Sequence, residues 1–179
     1  ALLKVTNDLL LSSDSGHLNL LLLLCLVAAV DTINHNILLS RLESSLNITG
    51  TALSWLKSYL TNRQQFISIN NCSSSTAPLS QGVPQGSVLG PLLFIHYLLP
   101  LGNIIRHHGL LFHCYADDVQ LYISTKAINT TTHSTLTNCL TDIKSWMKTN
   151  FLKLNCDKSD MIIIGPKSLT KTSHNFCLT

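Results

Sequence analysis

Apolar residues run almost unbroken from Leu18 to Val30, "LNLLLLLCLVAAV". The run lacks the alternation of a half-exposed strand, and it is shorter than the roughly 18 residues a membrane span needs. Its Leu20 to Leu26 portion predicts a strand covered on both faces. Helical spacing appears in residues 2–11, in 37–46 through Ile37, Leu38, Leu42 and Leu46, and in 51–60 through Leu53, Leu56 and Leu60. A further amphipathic helix is predicted over 135–148, with Leu136, Leu140, Ile143 and Met147 on one side. "QQFISIN", "LLFHCY", "VQLYIS" and "MIIIG" predict strands, and "NCSSSTAP" predicts a polar loop. In "SQGVPQGSVLGPLLFIHYLL" the Gly and Pro punctuate a loop. Ser87 then caps a helix of about three turns, with Pro91 in its first turn. No internal repeat and no clear domain boundary interrupts the 179 residues. The order of elements predicts an α/β (α+β) domain, with helices packed on one face of a small, mostly antiparallel sheet.

Composition narrows the function classes. Hydrophobic residues make up 45% and charged residues 12%, enough apolar material for a core and too few charges for a disordered chain. The net charge of +3 permits a nucleic-acid partner without arguing for one, because no Lys/Arg cluster stands out. Cys25, Cys72, Cys114, Cys139, Cys156 and Cys177 form no CxxC pair and no zinc-ligand spacing with histidines. They read as scattered thiols of an intracellular protein. Asn47-Ile48-Thr49, Asn71-Cys72-Ser73 and Asn129-Thr130-Thr131 match the N-glycosylation pattern, which also arises by chance in Asn- and Thr-rich sequence.

The stretch "FHCYADDVQLYIS" sets Asp117 and Asp118 side by side within an apolar run. Alone, such a pair reads as a solvated turn, since Asp is a favoured turn residue. At a bent hairpin tip the two carboxylates can instead bind hard divalent cations through oxygen. Two such ions about 4 Å apart suit in-line phosphoryl chemistry. Gly82 and Gly86 permit close backbone approach to a ligand and unusual φ, and Pro84 stiffens their loop. Gln85 brings amide donors and acceptors for a sugar, base or phosphate.

Tyr115-Ala116-Asp117-Asp118, flanked by apolar strands, resembles the YxDD box of reverse transcriptases. "PLSQGVPQGSVLGPLLFIHYLLPL" resembles the segment those enzymes use to hold template and incoming nucleotide. "AAVDTINHNILLSRLES", "SWLKSYLTNRQQF" and "IKSWMKTNFLKLNCDKSDMIIIG" are similar to the non-LTR (LINE-type) retrotransposon version, in the right order over about residues 1 to 166. The resemblance implies a polymerase palm that makes DNA on an RNA template by two-metal nucleotidyl transfer. It implies Mg²⁺, or Mn²⁺ in its place, on Asp117 and Asp118. Gly82, Pro84, Gln85 and Gly86 would position template and nucleotide, and Lys158 would aid the leaving pyrophosphate. Implied partners are an RNA template, a DNA primer and deoxynucleoside triphosphates, in the nucleus and cytoplasm and with no membrane. Fingers, thumb and endonuclease regions would belong to a parent polyprotein, and residues 167–179 would form a tail.

Three departures from the resemblance bear on activity. Where relatives read like "LLDLSAAFDT", this chain has Leu23 to Thr32 as "LLCLVAAVDT", so Cys25 occupies the place of a metal-binding Asp. Asp31 matches a second Asp that is not the main metal ligand. A thiol is a soft ligand, largely protonated below its usual pKa of about 8.5, whereas Mg²⁺ prefers hard oxygen. Val30 stands where the family has an aromatic that walls off the sugar 2′ position, and Val27 replaces a Ser. The third departure is length, because the fingers and thumb would be largely missing. The implied function is therefore RNA-directed DNA synthesis impaired at Cys25. One alternative is an inert remnant with the palm fold that binds nucleic acid weakly. Another is a small membrane or secreted protein, resting on Leu18 to Val30 and the glycosylation triplets. If the alignment is right, Cys25 lies on a strand beside the Tyr115–Asp118 hairpin and faces the Asp117 carboxylate.

Overall fold

The computed structural model describes residues 2–166, so the expected tail at 167–179 lies outside the described residues. The elements in chain order are α1 (Leu2–Asp14), β1 (Leu18–Leu26), α2 (His35–Leu46), α3 (Gly50–Leu60), β2 (Arg63–Gln65), β3 (Ser68–Ile69) and β4 (Cys72–Ser73). There follow β5 (Ala77–Leu79), α4 (Leu89–His107), β6 (Leu111–Tyr115), β7 (Asp118–Thr125), α5 (Thr130–Thr149) and β8 (Leu154–Ile164). Their residues group into two compact units. The first runs to Val27, takes in Pro100–Thr149 and resumes at Lys153; the second is Ala28–Leu99 with Asn150–Leu152. No Pro- or Ser-rich linker marks the changes of unit, one of which falls inside α4, so the residue pattern gives no boundary signal.

The first unit is built on a four-stranded antiparallel sheet of order β6-β7-β1-β8. β1 is central, and its unbroken leucines are explained by burial on both sides. Leu20, Leu22 and Leu24 point one way and Leu21 the other, and all are buried. On the Leu21 side, Val5 and Leu9 of α1 pack with Leu21 and Tyr122, and Leu23 and Ile164 border them. Asn19 is the polar exception within β1 and is fully buried. Its Nδ2 donates to Leu9 O at 3.1 Å and Ile164 O at 3.4 Å, and its Oδ1 accepts from Ser124 Oγ at 2.6 Å. One amide thus ties α1, β1, β7 and β8 together.

In the second unit, Asn34 caps α2 by accepting from the amides of Asn36 and Ile37 at 3.0 and 3.1 Å. Asn47 closes that helix in the left-handed region at φ 54°. Tyr97, with no exposed surface, donates its hydroxyl to Asn150 O at 2.7 Å. Arg41 lies over the Tyr97 ring, 4.7 Å from its centre, and donates to Tyr97 O and Asn150 Oδ1. Burial lowers the Arg41 pKa from its ordinary value.

Three expectations need correcting. The predicted strand "QQFISIN" is split between β2 and β3, and the predicted polar loop supplies β4 and β5. These are two-stranded ribbons of two or three residues per strand, too short for alternation to show. α4 has 19 residues and continues through Pro100, well past three turns. Leu98, Leu101 and Ile105 are buried around the proline, so packing outweighs the ladder hydrogen bond that Pro100 cannot donate. By length and composition α4 could cross a membrane, a test that core helices also pass, and 44% of its apolar window is buried.

Replacing Asn19 with Leu should lower unfolding free energy by about 1–3 kcal/mol, because it strands buried polar partners. Urea denaturation checks this, and an unchanged midpoint contradicts it. Tyr122 donates to Asp8 Oδ2 at 2.7 Å, and burial followed by that carboxylate pushes its pKa up to about 12. Its stabilising contribution is therefore complete below the unfolded value of about 10 and lost as pH rises through the folded value. Ultraviolet titration should show Tyr122→Phe deleting the latest-ionising phenol.

Candidate functional site

The β6–β7 hairpin turns through two residues, Ala116 and Asp117, with Ala116 at φ 52°. The tip is therefore Ala116-Asp117, which leaves Asp118 in the strand. Asp118 is the first residue of β7 and pairs with Tyr115. On its other side β7 pairs with β1, in a register that sets Cys25 directly opposite Asp118. Residues opposed across two strands project to the same face, so Cys25 and Asp118 are side-chain neighbours. Cys25 is thus on the expected strand beside the hairpin, but its opposed residue is Asp118, and Asp117 lies in the turn. The Cys25 thiol donates weakly to Leu26 O at 3.7 Å.

β8 flanks β1 on the other side and carries Lys158. Cys25 is opposite Asn155 and Leu23 is opposite Asp160, so Leu24 alone spans residues 156–159. This bulge is held by Ser159, whose Oγ donates to Asn155 O at 2.7 Å and accepts from the Cys25 amide at 3.4 Å. Lys158 is exposed in the bulge, one residue from that contact. Ser159 carries no sequence signal, because a bulge breaks the alternation that would reveal it.

The donor set decides what these residues could hold. Asp117 and Asp118 offer carboxylate oxygens, which suit Mg²⁺ or Mn²⁺. Cys25 offers sulfur and does not fit a hard cation. Among the described residues no group of three or more His, Cys, Asp or Glu side chains could hold a metal ion. Asp117 and Asp118 are thus the hard donors at the hairpin, and Cys25 adds none.

Val30, Gly82, Pro84, Gln85 and Gly86 all lie in the second unit. The Gly82 amide donates to Ile33 O at 2.8 Å, and the Val83 amide to Val30 O at 3.0 Å. The Gly82 carbonyl accepts from Arg63 at 3.2 Å and lies 2.7 Å from Nε2 of the buried His35. Gly82 has φ +80°, and a Cβ there would lie 2.8 Å from Asp31 O. Its close approach is thus to the chain's own backbone. Gly86 has φ +74° with open space around its Cβ position. Ser87 Oγ donates to Pro84 O at 2.7 Å and accepts from the Gly90 amide at 3.0 Å, the cap expected of it. Gln85 Nε2 donates to Asp31 Oδ1 and Oδ2 at 2.9 and 3.0 Å. The roles of His35, Arg63 and Asp31 around this loop escape sequence reasoning, because each depends on contacts between residues at least 19 apart.

The family model for reverse transcriptase (RNA-dependent DNA polymerase) matches residues 5–176. Over 109 residues the chain is 36% identical to a probable RNA-directed DNA polymerase from transposon BS of Drosophila melanogaster, covering 58% of this chain and 12% of that protein. It is 31% identical over 108 residues to the RNA-directed DNA polymerase from mobile element jockey of the same organism, covering 58% and 12%. The chain therefore matches only about an eighth of the length of these curated relatives. Apo telomerase from Candida tropicalis, truncated from its C-terminal domain, superposes with a TM-score of 0.67 at 15% identity, covering 93% of this chain and 34% of that one. Telomerase from Candida albicans in complex with a TWJ fragment of telomeric RNA gives 0.67 at 14% identity, covering 89% and 30%. Likeness at that identity establishes the shared fold.

Substituting Ala at the two glycines separates steric from conformational cost. Gly82→Ala must displace the Asp31 backbone and adopt an unfavourable φ, so it should cost about 2–3 kcal/mol. Gly86→Ala meets only the φ penalty and should cost about 1 kcal/mol. Equal shifts in urea midpoint would contradict the packing described for Gly82.

Proposed function

The chain belongs to the reverse transcriptase family, and from that premise we propose that it is a palm fragment of a non-LTR retrotransposon polymerase, directed to RNA-templated DNA synthesis and impaired at its metal site. The observation that carries this reading is the register that sets Cys25 opposite Asp118. A carboxylate in that place would complete a cluster of hard oxygen ligands beside the hairpin, and a thiol does not. Asp117 and Asp118 keep the capacity to hold Mg²⁺ or Mn²⁺ through oxygen.

The remaining roles follow the same reading. The loop of Gly82, Pro84, Gln85 and Gly86 positions template and incoming deoxynucleotide, and Lys158 serves the leaving pyrophosphate. Val30, smaller than an aromatic, leaves room at the sugar 2′ position, so activity restored at Cys25 should discriminate poorly between deoxy- and ribonucleotides. Residues 1–166 form the palm region, and fingers, thumb and endonuclease belong to a parent polyprotein. Large apolar side chains that stand exposed, among them Ile67, Ile69 and Val88, are consistent with surfaces that such regions cover. The competing reading, an inert remnant of the same fold, differs in predicting no recoverable activity.

Primer extension on an RNA template tests the choice, with the segment joined to the fingers and thumb of an active relative. Cys25→Asp should raise extension by more than about 100-fold, the upper end of what losing even an outer-shell partner of a metal costs. Asp117→Asn in that background should abolish it. Extension by the natural segment at the Cys25→Asp rate would contradict the metal argument. No extension by either would favour the inert remnant.

A further inference from the structure

We propose that Asp31 is a positioning residue for Gln85, turning its amide so that Nε2 faces the protein and Oε1 faces outward. The loop would then present a hydrogen-bond acceptor to its ligand, favouring a hydroxyl or amino donor over a phosphate. The inference rests on the polymerase reading only for the ligand's class, a nucleoside.

An ionised carboxylate accepts hydrogen bonds and donates none. Both Asp31 oxygens lie within bonding distance of Gln85 nitrogen, at 2.9 and 3.0 Å. The reverse amide orientation would set oxygen against two oxygens, so only one of the two is favourable. Each partner is fixed by its own surroundings. The Asp31 amide donates to Ala28 O at 2.9 Å, and its neighbour Val30 accepts from the Val83 amide. Gln85 lies between Pro84, whose carbonyl is held by Ser87, and the left-handed Gly86. Both side chains are exposed, so a ligand can reach the outward oxygen.

The selectivity follows from charge and hydrogen-bond inventory. A phosphate dianion has no proton to give the Gln85 oxygen and would meet the negative charge of Asp31. A sugar hydroxyl or a base N–H can donate to that oxygen without such repulsion. Of the alternatives Gln85 offers as a residue type, the structure thus leaves sugar or base and disfavours phosphate.

Nuclear magnetic resonance on the 179-residue chain tests this, with the Gln85 side-chain amide assigned by its loss in Gln85→Leu. Asp31→Asn, isosteric and exposed, should move that amide to the position of a free glutamine while the backbone spectrum of the unit stays in place. Thymidine should shift the natural Gln85 resonance several-fold more than inorganic phosphate at the same millimolar concentration, and Asp31→Asn should remove the difference. A third probe, 3′-deoxythymidine, keeps the base N–H and lacks the 3′ hydroxyl. Its loss of effect would assign the donor to the 3′ hydroxyl, and its full effect to the base N–H or the 5′ hydroxyl, which it also keeps. The proposal is overturned if Asp31→Asn leaves the amide unmoved, if phosphate matches thymidine, or if thymidine has no effect. Failure of the polymerase reading would show separately, in primer extension.

Discussion

Side chains of a strand alternate between faces, so one register fixes every neighbour of β1 at once. The pairing that places Asn19 opposite Ser124 and Ile164 is the same pairing that places Cys25 opposite Asp118. A slip of one residue would bring Asn19 out of its hydrogen bonds and exchange the two buried leucine faces. The packing of Leu21 with Val5, Leu9 and Tyr122 resists that slip at one end of the strand. At the other end, the bulge at 156–159 absorbs the extra residues of β8 and leaves the β1–β7 register continuous through Cys25. The packing of the first unit and the placing of Cys25 beside Asp118 therefore share one cause.

In the second unit the chain itself grips the loop of Gly82 to Gly86. Gly82 is needed because the backbone of Asp31 occupies the space a side chain would take. His35, Arg63 and the backbone of residues 30–33 hold that loop from several sides. Preorganisation of this kind fixes what the loop offers before any ligand arrives. Gln85 is the clearest case, since its amide is already turned by Asp31.

Much of this was legible in the residues. The leucine run from Leu18 announced a doubly buried strand, and the spacing of Leu136, Ile143 and Met147 announced a helix, because burial imposes a period on sequence. The place of Cys25 beside the hairpin followed from aligning "AAVDT", a resemblance that no periodicity would have supplied. Other features left no such trace. A proline ordinarily ends a helix, so Pro100 gives no sign that burial of Leu98, Leu101 and Ile105 carries α4 past it. The ribbons β2–β5 and β3–β4 are shorter than any alternation that could announce them. The Asp31–Gln85 pair joins residues 54 apart and arises only when the chain folds.

Binding of Mn²⁺ to the 179-residue chain, followed by loss of the free-ion electron paramagnetic resonance signal, tests the central claim most directly. It needs neither nucleic acid nor added regions. If Cys25 stands where a hard ligand belongs, Cys25→Asp should bind Mn²⁺ at least about 10-fold more tightly than the natural chain. Asp118→Asn in the same background should reverse the gain. Equal affinity of the natural and Cys25→Asp chains would contradict the claim that the register at Cys25 governs the metal site.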